Sequence, residues 1–188
     1  MTTPGQLLGC AVHAAAAVVG GSVALRGLSR ESVQGDTGFF AILERMGARI
    51  AWHADRVEVT GTGELRGVDV AMNAMPDMVP TLAAIAPFAS TPTRIRGVGF
   101  IRHHESDRIR AIATELRRLG AAVEEYADGL GIAPSKLHAA TVATYDDHRI
   151  AMAFAVVGLK IAGVRISNPG CVAKTYPDFF RDLRASYE

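Results

Sequence analysis

The sequence has 188 residues, of which 49% are hydrophobic and 21% are charged, and its formal net charge at pH 7 is +1. Such a chain is long enough to bury one sizeable core and has the composition of an ordinary globular protein. The small net charge, with no long run of one sign, gives no support to a nucleic-acid-binding or membrane-surface function.

The chain contains two cysteines, Cys10 and Cys171, which lie far apart and in no metal-ligand or redox spacing. We therefore expect neither a disulfide nor a structural metal, and we expect the protein to work in a reducing cytoplasm. The apolar stretch LLGCAVHAAAAVVGG lacks the basic flank of a signal peptide and is interrupted by His13 and by glycines. It predicts a buried helix over about residues 7–19, followed by a strand in SVALRGL.

The next part of the chain reveals an internal repeat. LERMGARIAWHADRVEVTG (residues 43–61) matches LRRLGAAVEEYADGLGIAP (residues 116–134) at a constant offset. Each copy predicts the end of an amphipathic helix closed by a glycine, then two strands joined by a turn around Ala-Asp. An alanine-rich helix and a short strand precede each copy; in the second copy they are residues 78–89 and PTRIRGV. The unit is therefore helix, strand, helix, strand, strand.

A third unit predicts an alanine-rich helix over residues 148–162, a strand in GVRISNP and a last helix in AKTYPDFFRDLRASYE. We expect one α/β (α+β) domain over residues 1–188, with the alanine-rich helices central and the amphipathic helices and small mixed sheets outside. The approximate boundaries of its units are 1–61, 62–134 and 135–188. Helices related by such a repeat should begin on one common surface, where their dipoles attract anions.

The predicted helix starts carry a dense set of charges. They are SVQGD (32–36), AMPDMVP (74–80), RHHESDR (102–108), YDDHR (145–149) and AKTYPD (173–178). The acids Asp77, Asp107, Asp147 and Asp178 have a structural interpretation, because aspartate caps helix N-termini. The cations have no such structural interpretation, because a positive charge in the first turn of a helix opposes the helix dipole. These cations are Arg108, His148, Arg149 and Lys174.

A local rule that is broken at several equivalent places indicates a bound polyanion. Of the 20 basic side chains only Lys136, Lys160 and Lys174 are lysines, so a single arginine carries little weight. The sequence has neither a P-loop nor a dinucleotide-binding glycine motif. Cations mixed with Asp77 and Glu105 would suit proton transfer on a small, multiply anionic substrate.

Several of these segments, in this order, closely resemble the C-terminal part of the EPSP synthase (3-phosphoshikimate 1-carboxyvinyltransferase) family. They are NAMPD, RHHESDRI, ELRRLGA, YDDHRIAMAFAVVGL and CVAKTYPDFF, with SVQGD and LERMGA ahead of them. The resemblance implies transfer of the enolpyruvyl group of phosphoenolpyruvate to the 5-hydroxyl of shikimate 3-phosphate, without a metal or organic cofactor. It also implies a fold of two similar domains, each of three helix-and-sheet units, facing each other across a cleft.

The resemblance also implies roles for individual residues. Asp77 would be the base that accepts the proton of the attacking hydroxyl, and Glu105 the acid that protonates the methylene carbon of phosphoenolpyruvate. His104 stands where many members of the family have a lysine that contacts the shikimate hydroxyls, and it could replace that lysine only as a hydrogen-bonding or protonated imidazole.

The remaining site residues would bind substrate. By the same resemblance Arg108 and Arg149 would hold the carboxylate of phosphoenolpyruvate, and Lys174 its phosphate. Asp147 and His148 would line the same pocket.

The sequence departs from the family in two further respects. The Gly-Asp-Ser-Ser segment expected ahead of the first alanine-rich helix is absent, and the chain has about half the usual length. We therefore expect the N-terminal domain of the same enzyme as a partner, and this chain to be inactive alone. Two alternatives stay open: a non-catalytic paralogue that binds an anion or a partner protein, and a domain of UDP-N-acetylglucosamine enolpyruvyltransferase.

Overall fold

A computed structural model describes residues 4–27 and 38–185. Its α-helices are α1 Pro4–Val19, α2 Gly38–Arg45, α3 Val79–Ile85, α4 Arg108–Arg118, α5 His148–Lys160 and α6 Phe179–Ala185. Its strands are β1 Gly21–Arg26, β2 Arg49–Trp52, β3 Arg56–Gly61, β4 Asp69–Ala71, β5 Thr93–Arg96, β6 Val123–Tyr126, β7 Gly129–Ile132, β8 Thr141–Val142 and β9 Arg165–Ile166. Short 3-10 helices occupy Pro76–Met78, Ala86–Phe88, Gly99–His103 and Pro169–Lys174.

The three alanine-rich helices α1, α3 and α5 pack against one another at the centre of the protein. Every residue of α3 is buried. Small side chains such as Ala14, Ala83 and Ala153 are fully buried, and they let the helix backbones approach closely. The predicted central position of these helices, and with it the mixed helix-and-sheet fold class, is confirmed.

Three small sheets surround this helical core. The first is antiparallel with strand order β1-β3-β2, and the second has the order β4-β5-β7-β6, in which only β4 and β5 run parallel. The third pairs β8 with β9 in parallel. Each sheet draws its strands from one of the three predicted units. The division of the chain into these units, and its being a single domain, stay predictions.

The repeat is visible in the ends of the amphipathic helices α2 and α4. Gly47 and Gly120 follow these helices with φ angles of +110° and +94°, which glycine adopts without strain. Behind them, the amides of Ala48 and Ala121 donate to the carbonyls of Leu43 and Leu116, which closes both helices with the same hydrogen-bond pattern.

Two details differ from the sequence-based expectation. The short strands β4 and β8 were not predicted, because two or three residues show no periodicity. The predicted last helix begins at Phe179 instead of Ala173, because Pro177 disfavours helical backbone at the residue before it. The segment SVQGD lies outside the described residues. None of the described helices has the length and hydropathy that crossing a membrane requires.

The close packing of the central helices yields a stability prediction. Ala153 is fully buried on α5, so Ala153→Leu should lower the free energy of unfolding by about 1–3 kcal/mol, because the larger side chain forces the helices apart. Ala51→Leu, at an exposed position of β2, is the control and should change stability little. Urea unfolding followed by circular dichroism measures both, and equal stabilities would contradict this view of the core.

Candidate active site

The candidate site is built around Arg108, the first residue of α4. Its side chain is only 1% exposed. The guanidinium donates to Asp147 (Nε to Oδ2, 2.7 Å), to Asp77 (Nη1 to Oδ1, 3.0 Å) and to Glu105 (Nη2 to Oε2, 2.7 Å). One buried cation thus ties together three carboxylates that are distant in the sequence.

Helix starts bring these groups together. Asp147 caps α5 by accepting a hydrogen bond from the Arg149 amide, and Asp107 caps α4 by accepting one from Arg110. Asp77 lies in the 3-10 turn just ahead of α3 and makes no capping hydrogen bond. Capping is therefore observed for Asp107 and Asp147, whereas Asp77 lies in the first turn of a 3-10 helix without capping it.

A second arginine completes the cluster from the first turn of α5. Arg149 Nη2 lies 2.7 Å from Asp77 Oδ2, so the Asp77 carboxylate is held between two guanidinium groups. The side chains of Asp77 and Glu105 are 39% and 41% exposed, whereas that of Asp147 is fully buried. The exposed side of the cluster therefore presents Asp77 and Glu105 to solvent.

The tautomer of His104 follows from its partner. Its Nδ1 lies 3.0 Å from Arg108 Nη1, and a guanidinium can only donate, so Nδ1 accepts and the ring proton is on Nε2. This hydrogen bond fits the hydrogen-bonding imidazole, one of the two states predicted for His104. The ring of Phe100 packs beside it with a centroid distance of 5.8 Å.

Two carboxylates next to Arg108, those of Asp147 and Glu105, are stabilised in their ionised form. Burial alone would raise the pKa of Asp147, but the hydrogen bond and charge of Arg108 outweigh it and lower the pKa. Glu105 behaves alike: partial burial raises its pKa, while its backbone hydrogen bond and Arg108 lower it by more. Beside Arg108, Glu105 is therefore a carboxylate rather than a protonated acid.

His148 lies at the same helix start and is 4% exposed. Burial lowers the pKa of its imidazole most, and the charges of Arg149 and, more weakly, Lys174 lower it further. Its Nδ1 atom is buried without a hydrogen-bond partner in the part of the chain that the structure describes. A buried ring nitrogen without a partner, beside the arginines, is a candidate contact for a bound ligand.

Lys174 does not lie where the sequence predicted it. It ends the 3-10 helix Pro169–Lys174, five residues before α6 begins, so its charge opposes no α-helix dipole at that point. The dipole argument for Lys174 was therefore wrong, and its role in the site stays a prediction from the family resemblance. The other predicted residues around Arg108 do lie together; they are Asp77, His104, Glu105, Asp147 and Arg149.

Sequence reasoning missed several residues that support the cluster. The Ser106 hydroxyl donates to Asp147, and Arg102 binds both carboxylate oxygens of Asp107 at 3.0 and 3.1 Å. Arg102 also donates to the backbone carbonyls of Tyr126 and Ala127, which anchors the loop that carries His104 and Glu105. One arginine among so many gives no signal in the sequence.

The described residues contain no group of three or more His, Cys, Asp or Glu side chains arranged to hold a metal ion. The cluster offers two solvent-facing carboxylates, two guanidinium groups and two imidazoles. Carboxylates can accept or deliver protons, and guanidinium groups can bind carboxylate or phosphate.

Comparison with known proteins places this chain in a family. The family model described as EPSP synthase (3-phosphoshikimate 1-carboxyvinyltransferase) matches residues 10–183. A 3-phosphoshikimate 1-carboxyvinyltransferase from a Nostoc species is 54% identical over 167 residues, which cover 89% of this chain and 39% of the relative. The enzyme of that name from Serratia proteamaculans is 49% identical over 171 residues, covering 90% of this chain and 40% of the relative.

Solved structures agree with the sequence relatives. EPSP synthase from Acinetobacter baumannii superimposes with a TM-score of 0.83 at 25% sequence identity, over 96% of this chain and 45% of that one. The chain therefore spans about two fifths of the length of the curated relatives it matches, 39% and 40% in the two cases above. Sequence and fold agree over nearly all of its residues, and the chain belongs to the EPSP synthase family.

Proposed function

We propose that this chain contributes one half of the active site of a 3-phosphoshikimate 1-carboxyvinyltransferase. The reaction moves the enolpyruvyl group of phosphoenolpyruvate to the 5-hydroxyl of shikimate 3-phosphate and releases phosphate. The observation that carries the proposal is the Arg108-centred cluster, in which two exposed carboxylates and a second arginine meet at three helix starts. Both substrates are anions, which suits this surface.

Asp77 is proposed as the base. It is exposed enough to reach a hydroxyl, and the paired guanidinium groups fix its orientation. As the hydroxyl oxygen attacks the central carbon of phosphoenolpyruvate, its proton passes to Asp77. No capping bond occupies this carboxylate, so the fold does not need it for the start of α3.

Glu105 is proposed as the acid that protonates the methylene carbon. In the ligand-free chain Arg108 helps to hold its pKa below the ordinary value, so it carries no proton to give. An anion bound at Arg108 would offset that charge and raise the Glu105 pKa. Substrate binding would thereby supply the acid form when it is needed.

Arg149, Arg108 and Lys174 are proposed to bind phosphoenolpyruvate, and His148 and Asp147 to line its pocket. The two arginines already bind Asp77 in the ligand-free chain, so an anion must take over hydrogen bonds that Asp77 now accepts. Because breaking these contacts costs free energy, it would reduce the affinity for phosphoenolpyruvate. It would also free the Asp77 carboxylate to accept a proton. His104, with its proton on Nε2, is proposed to donate to a shikimate hydroxyl.

The second half of the site is proposed to come from the N-terminal domain of the same enzyme, since the relatives are more than twice as long as the region they share with this chain. We propose residues 1–188 as one domain that works in the cytoplasm. Catalysis needs both substrates oriented together and water excluded, so turnover requires the two domains.

The overall proposal is tested in a chimera that joins this chain to the part of the Nostoc relative that it does not cover. Phosphate release that depends on both phosphoenolpyruvate and shikimate 3-phosphate is expected. A folded chimera that binds anions without turnover would favour the non-catalytic alternative.

The first prediction from the proposed function concerns anion binding by the chain itself. Phosphate should shift the amide resonances of Arg108, His148 and Arg149. Asp77→Asn should tighten this binding, because it removes the carboxylate that competes for both arginines. Asp69→Asn, an exposed aspartate paired with Arg96 on β5, is the matched control. Shifts confined to other surfaces would contradict the site, and equal affinity in all three chains would contradict the competition.

The second prediction concerns proton transfer in the chimera. Asp77→Asn should lower kcat by about 10²–10⁴-fold, because the amide cannot accept the hydroxyl proton. Steady-state kinetics measure the change, and Asp69→Asn should keep normal turnover. An unchanged kcat would remove Asp77 from the mechanism.

The third prediction tests the geometry of the arginine fork. Arg149→Lys should lower kcat/KM for phosphoenolpyruvate by about tenfold to a hundredfold, because a single ammonium cannot make two parallel hydrogen bonds to a carboxylate. Arg96→Lys on β5 provides the same change away from the site. Equal catalytic efficiency in both variants would make Arg149 a structural residue.

A further inference from the structure

The segment between β8 and α5 has an unusual backbone. Tyr145 and Asp146 both have φ angles of +55°, and within residues 4–27 and 38–185 no other residue except glycine has a positive φ. A bulky side chain rarely adopts this conformation, which persists only where the surroundings hold it and which concentrates at functional sites. The two residues lead directly into Asp147, His148 and Arg149.

A buried glutamate holds this turn. Glu115 on α4 is fully buried, and no step of the proposed mechanism uses it. Its carboxylate accepts hydrogen bonds from the Ala143 amide at 3.1 Å and from the Tyr145 hydroxyl at 2.7 Å, and Arg118 Nε lies 3.0 Å from it. Burial and the bond to Glu115 raise the pKa of Tyr145 to about 12, so the phenol stays protonated and remains a donor.

Helix α4 holds the segment at both ends. Arg108 and Glu115 are two helical turns apart and therefore lie on the same face of α4. Glu115 binds the beginning of the segment, at Ala143 and Tyr145, and Arg108 binds its end, at Asp147. A third contact runs from Asn168 Nδ2 to Asp146 Oδ1 at 2.7 Å.

We propose that Tyr145 and Glu115 are positioning residues of the active site: their hydrogen bond holds the left-handed turn that orients Asp147, His148 and Arg149. The hydroxyl is bound to Glu115, so the pair acts through Arg149 rather than on a substrate. The consequence for catalysis rests on the proposed function, whereas the consequence for the backbone does not.

The backbone consequence is measured by NMR on the 188-residue chain. Tyr145→Phe removes only the hydroxyl, and it should shift the amide resonances of residues 147–149 and speed hydrogen exchange at Ala143 and Arg149 by about threefold to tenfold. Tyr126→Phe is the matched control, because the Tyr126 hydroxyl also donates to a glutamate, Glu124, but on the outer sheet. The control should leave those amides unchanged.

The catalytic consequence is measured in the chimera with the Nostoc domain. Tyr145→Phe should raise KM for phosphoenolpyruvate by about threefold to tenfold, because one hydrogen bond that orients Arg149 is lost. KM for shikimate 3-phosphate should match that of Tyr126→Phe. A merely structural role would lower the midpoint without separating the two KM values.

A second variant, Glu115→Gln, tests the same hydrogen bond in case Tyr145→Phe does not fold. Glu115→Gln keeps the volume, but an NH2 group replaces one of the two oxygens that separately accept from Ala143 and Tyr145, so one donor loses its acceptor and the same amides should shift. Unchanged amides in a folded variant, or altered amides with an unchanged KM for phosphoenolpyruvate, would overturn the proposal. If the unsubstituted chimera lacks activity, the proposed function fails, and the amide measurements still decide whether the pair holds the turn.

Discussion

The buried ion pair between Arg108 and Asp147 is the interaction on which the site depends. Both side chains are almost completely removed from solvent, at 1% and 0% exposure, so each charge requires the other. Asp147 also caps α5, and Arg108 opens α4. The pair therefore fixes the relative placement of two helix starts, and removing one partner would leave an uncompensated buried charge at a cost of about 3–5 kcal/mol.

This pairing also decides how the cluster responds to an anion. The ion pair between Arg108 and Asp147 stays in place whichever anion binds, because the Asp147 carboxylate has no access to water. Asp77 and Glu105 are partly exposed and can exchange arginine for solvent. The cluster thus has a fixed inner part and a replaceable outer part, and under the proposed function the carboxylates that occupy the guanidinium groups would reduce its affinity for an anion. The Glu105 pKa couples the two parts, because it responds to the charge at Arg108.

The sequence predicted the core more completely than the site. Alanine-rich runs and the glycines at Gly47 and Gly120 determine helices locally, so the internal repeat was sufficient for them. Clustered charges at helix starts, together with the family resemblance, selected residues that do lie together. The partners of Arg108 depend on side-chain geometry across units, and the left-handed turn at Tyr145 depends on Glu115 from another helix. Neither leaves a periodic pattern in the sequence. The dipole argument for Lys174 was wrong, because Lys174 ends a 3-10 helix five residues before α6, and its selection rests on the family resemblance.

Asp77, Glu105 and Asp147 all contact Arg108, so position alone does not show which of them support the fold and which are proposed to transfer protons. The burial of each carboxylate and its hydrogen bonds within the fold do distinguish them. Asp147 is fully buried, caps a helix and neutralises Arg108, so its replacement would disturb the backbone and the charge balance together. Asp77 caps nothing, and Asp77 and Glu105 are each more than a third exposed. The fold can therefore do without their charges when a ligand takes their place at the arginines. Loss of activity on changing Asp147 would consequently report on structure, whereas the same loss at Asp77 or Glu105, with the fold intact, would report on proton transfer.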